Sequence, residues 1–118
     1  MASPQKTLAT VLGAVLTVVG VAGLFVGEGT LLFFNVNMLH NLVHIVSGLL
    51  GLLAGLTADG AYAKWYNVGF GSVYLLVALL GLLGVGAVVS LLNLNAADNW
   101  LHLLIAVVTL GVGFGASE

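Results

Sequence analysis

The chain has almost no charge. Of 118 residues, two are basic (Lys6, Lys64) and four acidic (Glu28, Asp59, Asp98, Glu118), where soluble domains carry about 25% charged residues. Apolar residues make up 61% of the chain and the mean hydropathy is +1.23. So short a chain cannot cover such a composition in water, and the bilayer is its expected solvent. The net charge of −2 leaves no basic footprint for nucleic acid. Cysteine is absent, which removes disulfides, thiolate metal sites and cysteine nucleophiles together and leaves the redox compartment open.

Long apolar runs stand in their place. Crossing a hydrocarbon core takes about 20 largely apolar helical residues. Four stretches qualify, at about 7–27, 38–57, 65–91 and 98–115, separated by GEGTLLFFNVN (27–37), TADGAYAK (57–64) and NLNAAD (93–98). No room remains for a soluble domain. The prediction is an all-α fold, one four-transmembrane-helix bundle filling residues 1–118. The first run follows Lys6 as a signal peptide would, but it is long for one and no small-x-small site precedes a polar domain, so it is read as a retained span.

With four spans, the N-terminus, the 57–64 loop and the C-terminus share one side, and that side holds both lysines. The positive-inside rule then places both termini in the cytoplasm, in what is expected to be the cytoplasmic membrane. Tyr62, Trp65 and Tyr66 beside Lys64 read as the interfacial aromatic belt of that face.

The opposite face collects most of the polar inventory: Glu28, Asn35, Asn37, His40, Asn41, His44, Asn93, Asn95, Asp98, Asn99 and His102. It does so twice over. NMLHNLVH (37–44) and NAADNWLH (95–102) both fit N-x-x-[H/D]-N-x-x-H, and an offset of 58 pairs Asn35 with Asn93, Asn37 with Asn95, His40 with Asp98, Asn41 with Asn99 and His44 with His102. Gly13 and Gly71, Val15 and Val73, and Gly23 and Gly81 echo the same offset more faintly. Two helical hairpins, about 7–57 and 65–115, are read as repeats of like orientation.

On a helix, His40, His44, Gly48, Gly51 and Gly55 form one stripe, and Asp98, His102, Ala106, Thr109 and Gly113 form its counterpart. Ser47, Gly51 and Gly55 extend the small-xxx-small spacing. This stripe is expected to be the packing face between the second and fourth spans, carrying the ionisable groups inward, with the motif residues facing each other across the bundle or facing the first and third spans, and not lipid. Asn37 and Asn95 stand where helix caps are needed, Asp98 three residues after Asn95 suits a capping box, and Asn35 and Asn93 suit turns.

Capping does not account for the histidines. His44 lies about 10 Å along the helix from Asn37, and His102 equally far from Asn95. Interhelical hydrogen bonding by neutral imidazoles is the simpler expectation. The sharper one is that His40, His44, His102 and Asp98 converge as ligands for Zn²⁺ or another first-row divalent ion, or that His44 and His102 hold a haem or other tetrapyrrole axially. Catalysis has less support: Ser47 lies within the glycine stripe, Ser90 ends the third span, and Glu28 is a loop residue expected in solvent. No polar route crosses the Leu, Val, Ala and Gly of the other face, which argues against a channel.

The runs HNLVHIVSGLLGLLA (40–54), YNVGFGSVYLLVALLGLLG (66–84) and NLNAADNWLHLLIAVVTL (93–110) resemble a family of small bacterial and archaeal four-helix membrane proteins catalogued as a domain of unknown function. The resemblance covers nearly the whole chain. It rests on Asn37, His40, Asn41, His44, Gly48, Gly71, Tyr74, Asn95, Asp98, Asn99 and His102, and it implies the four-span architecture without an activity or cofactor. Members of that family often carry more Arg and Lys in the central loop, where this chain has only Lys64.

The first functional expectation is therefore a non-enzymatic membrane protein without a cofactor. It would pack through its 17 glycines with a second copy or as an accessory subunit of a membrane complex. The alternative is a metal- or tetrapyrrole-binding module near the extracytoplasmic face, with His44 and His102 as ligands and His40 and Asp98 in support.

Overall fold

The computed structural model describes residues 3–117, so Glu118 lies outside the described residues. The first helix, α1 (Pro4–Val26), begins where the Ser3 hydroxyl accepts from the Lys6 N–H at 3.1 Å and Pro4 fills a first-turn position that needs no donor. It stops at Gly27, in a left-handed conformation with φ 74°. The next residues form a small antiparallel hairpin, β1 (Gly29–Leu31) and β2 (Phe34–Val36), with Thr30 opposite Asn35. Hydropathy marks this stretch only as a break.

Helix α2 (Met38–Leu56) is capped by Asn37 and closed at Thr57; a single 3-10 turn (Ala58–Gly60) leads to α3 (Ala63–Leu82). The apolar run 65–91 is not one helix. It breaks after Leu82, where the Gly84 N–H bonds to the Gly81 carbonyl at 3.1 Å and the Val85 N–H to the Leu80 carbonyl at 3.0 Å, with Gly84 at φ 70°. This is a Schellman ending. Gly84, Val85 and Gly86 are as apolar as the span before them, so only the backbone conformation marks the stop. A short helix, α4 (Gly86–Leu92), carries Ser90, which therefore does not end the third span. Asn93, left-handed at φ 53°, then turns the chain into α5 (Ala96–Gly115).

The fold is all-α apart from the small hairpin. Helices α1, α2, α3 and α5, of 19 to 23 residues, are long and apolar enough to cross a membrane; at 1.5 Å per residue they reach roughly 28–35 Å. The outer surface is correspondingly apolar, with Phe25 90% and Phe114 72% exposed. Polar side chains occupy the inside instead: Gln5, His40, Asn41, His44, Ser47, Asn67, Asp98, Asn99, His102 and Thr109 are all buried. That inversion of a soluble core is the arrangement of an integral membrane protein.

Close packing occurs within each hairpin. A Cβ at Gly13 of α1 would stand 2.7 Å from the Gly48 carbonyl oxygen and 2.5 Å from the Leu52 nitrogen of α2, while Gly48 and Gly55 face Thr17 and Thr10. In the second hairpin Gly71 of α3 faces Thr109 and Leu110 of α5, and Gly113 faces Val68. Asn41 lies across Gly23, and Asn99 lies across Gly81. Contacts at an offset of 58 are thus matched pair by pair. Gly48, Gly51, Gly55 and Gly113 do not make the expected interface between the second and fourth spans, here α2 and α5; they pack on α1 and α3. A stripe of small residues states that a close neighbour exists without saying which one.

Candidate metal centre

The asparagines of the two motifs set the entry to the site. The Asn37 side-chain oxygen accepts from the His40 N–H at 2.9 Å, and Asn95 and Asp98 form a full capping box, with bonds of 2.8 and 2.9 Å. Their amide nitrogens reach the other half of the molecule. Asn37 donates to the Leu91 carbonyl at 2.9 Å, Asn95 to the Phe33 carbonyl at 3.0 Å and Asn93 to the Val36 carbonyl at 3.0 Å. Leu91 and Phe33 are themselves 58 positions apart, so the first two bonds are reciprocal. Asn35 does not cap; it pairs in β2 and accepts from the Thr30 hydroxyl.

Below these caps the three histidines converge. Ring centroids are 4.5 Å apart for His40 and His44, 5.4 Å for His40 and His102, and 6.0 Å for His44 and His102. One nitrogen from each ring lies within 4.8 Å of the others, and none of the three side chains is more than 5% exposed. His40 Nδ1 stands 2.9 Å from the Leu92 carbonyl. A carbonyl only accepts, so Nδ1 carries the proton and Nε2 keeps its lone pair, the orienting contact that ligand histidines usually make.

Among the described residues, His40 Nε2, His44 Nδ1 and both nitrogens of His102 are buried without a hydrogen-bond partner. The His40 bond to the Leu92 carbonyl runs from α2 to α4, as expected of a neutral imidazole between helices; the remaining buried nitrogens lack such a bond, at about 1–3 kcal/mol for each unsatisfied atom. The three rings also help to wall a cavity of about 40 Å³, together with Val43, Ser47, Phe70, Val73, Tyr74, Val77 and Leu92. It has room for an ion or a single water, and none for a macrocycle.

Around a metal with bonds of about 2.0–2.1 Å, ligand nitrogens stand roughly 3.3–3.6 Å apart, so the rings need to close by about an ångström. Asp98 stays out of the nitrogen cluster, its carboxylate engaged by the Asn95 N–H. The expected convergence of three imidazoles and a carboxylate is thus a convergence of three imidazoles. Asn41 and Asn99 turn away onto α1 and α3, and Glu28 is exposed. Ser47 is buried, its hydroxyl donating to the Val43 carbonyl at 2.7 Å and paired with the Tyr74 hydroxyl at 3.0 Å. Ala106 packs with Leu16 and Tyr74.

Several neighbours carry no signal in the motifs. Tyr74 sets its ring 5.5 Å from that of His102, and the Tyr66 hydroxyl donates to the Ser47 carbonyl at 2.7 Å. At the other end Gln5 donates to the carbonyls of Val112, Gly113 and Ala116, and Asn67 donates to the Gln5 side-chain oxygen at 2.9 Å. Both are fully buried, and neither carries a sequence signature: Gln5 stands in the polar SPQKT before the first apolar run, and Asn67 is an isolated amide near the start of the third.

No curated protein and no solved structure matches this chain. A family model does: the domain of unknown function DUF4383 matches residues 6–115, and with nearly its whole length inside that model the chain belongs to this family.

Proposed function

We propose that the protein is a non-enzymatic membrane module that holds one transition-metal ion between two helical hairpins. The observation that carries this reading is the set of three buried imidazoles that each bring a ring nitrogen within 4.8 Å of the others, every ring having an unpartnered nitrogen among the described residues. Imidazole nitrogen suits zinc, copper, iron and nickel, and the fixed tautomer of His40 supports ligation over hydrogen bonding. Ser47 is the one hydroxyl nucleophile on the cavity wall besides tyrosine, and its bonds to Val43 and Tyr74 argue for a structural role. The matched contacts at an offset of 58 support the reading of the hairpins as repeats, and the ion would join one repeat to the other.

Lys6 and Lys64 lie at the end away from the histidines, Lys6 paired with Asp59 at 3.1 Å. The positive-inside rule then orients both termini to the cytoplasm and the metal centre toward the opposite face. Partnership with a second copy or a larger complex has less to draw on than composition suggested, because Gly13, Gly48, Gly55, Gly71 and Gly113 are occupied by contacts within the chain.

The test is ion content after purification from native membranes in mild detergent. His44→Ala and His102→Ala are expected to lose the ion while Asn35→Ala, which alters only the hairpin, retains it. Equal content in all three variants would end the proposal.

A further inference from the structure

Resting on that reading, we infer that the ion is monovalent copper, held by His40, His44 and His102 against the single negative charge of Asp98. The argument is one of charge and coordination number. The protein contributes three neutral nitrogens; cysteine is absent, and among the described residues no carboxylate joins them. Glu28 is exposed and Asp59 is at the far end, which leaves Asp98, one turn above His102 and 2% exposed, as the one buried acid among the described residues.

Desolvating an ion scales with the square of its charge, so a divalent ion meets roughly four times the penalty of a monovalent one in the same cavity. One buried carboxylate balances one positive charge and leaves a second unmatched. Coordination points the same way. Zinc prefers four ligands, and with three histidines the fourth is normally a water. Such a water would sit in a cavity of about 40 Å³ whose remaining walls include Val43, Val73, Val77 and Leu92, while the hydroxyls of Ser47 and Tyr74 are already bonded to each other. Few polar groups on that wall are left to hold it. Copper(I) carries one charge instead of two and is satisfied by two or three imidazoles without a water.

The experiment is an anaerobic competition on the full-length protein in nanodiscs, titrating copper(I) against a chromogenic copper(I) chelator and, separately, zinc(II) against a zinc dye. The expected result is one copper(I) per chain, bound at least about 100-fold more tightly than zinc(II) and lost in His44→Ala and His102→Ala. Zinc(II) binding as tight as copper(I), and equally dependent on the histidines, would overturn this inference while leaving the three-histidine site in place. Histidine-independent binding of both ions would overturn the site as well. A gain-of-function variant decides the matter if the alanine variants do not fold. Val77→Asp puts a second carboxylate on the cavity wall and is expected to narrow the copper(I) to zinc(II) ratio at least about tenfold. An unchanged ratio would refute the charge argument.

Discussion

Adding one methyl group to Gly13 tests whether the hairpins are held by backbone contact. The new Cβ would lie 2.5 Å from the Leu52 nitrogen, 2.7 Å from the Gly48 oxygen and 2.8 Å from the Gly51 carbonyl carbon. All three are backbone atoms, so no side chain can rotate aside, and α1 and α2 must separate by roughly 0.7–1 Å to restore ordinary contact. Overpacking of this kind costs about 1–3 kcal/mol, and Gly13→Ala belongs in the upper half of that range. Gly71, its counterpart 58 positions on, meets the Thr109 hydroxyl at 2.7 Å and Leu110 side-chain carbons at 2.9 and 3.1 Å. Those atoms can give way, so Gly71→Ala is expected near the low end, about 1 kcal/mol. A Cβ at Gly111 meets nothing within 4 Å, and Gly111→Ala is expected to be neutral or slightly stabilising. The assay is reversible unfolding in mixed micelles with increasing denaturing detergent, followed by helical circular dichroism. If Gly13→Ala proves no less stable than Gly111→Ala, the packing account of the first hairpin is wrong.

Removing the Gln5 amide should loosen the far end of the bundle: Gln5→Ala breaks bonds to the Val112 and Gly113 carbonyls of α5 and to that of Ala116 just beyond it, and leaves Asn67 only the Gln5 backbone carbonyl, so the same unfolding assay should show a loss of about 1–3 kcal/mol. At the histidine end the two roles of Asn95 can be separated. Asn95→Ala removes both the cap and the tie to Phe33 and should destabilise by about 1 kcal/mol or more, whereas Asn95→Asp keeps the cap acceptor and loses only the amide donor. Hydrogen exchange should then quicken in β1 and β2 in both variants while α5 stays protected only in Asn95→Asp. Exchange unchanged in the strands would remove the reciprocal ties from the account.

The features legible in the sequence are those with a period or a spacing. Four spans follow from unbroken hydropathy, and the caps at Asn37 and Asn95 follow from a polar residue standing just before each helix. The repeated histidines announced their own convergence because the four ionisable motif positions form two pairs, 40/44 and 98/102, each one turn apart on an inward face. Asp98 went elsewhere because one carboxylate cannot both close a capping box and enter the cavity beneath it. The end of α3 was hidden because Gly84 breaks the helix by its φ angle and not by polarity. The partner of the glycine stripe was hidden too, since Gly48 and Gly55 specify close approach and only the tertiary fold supplies Thr17 and Thr10. Gln5 and Asn67 belong to no pattern, and only their complete burial gives them meaning.

The central claim is that His40, His44 and His102 surround a metal ion. X-ray absorption at the metal edge, on protein purified from its own membranes, tests it without any substitution. The account predicts a first shell of three nitrogen scatterers at about 2 Å with the outer-shell pattern of imidazole rings. A shell built from oxygen alone, or a sample that carries no metal and takes up neither copper(I) nor zinc(II), would contradict it.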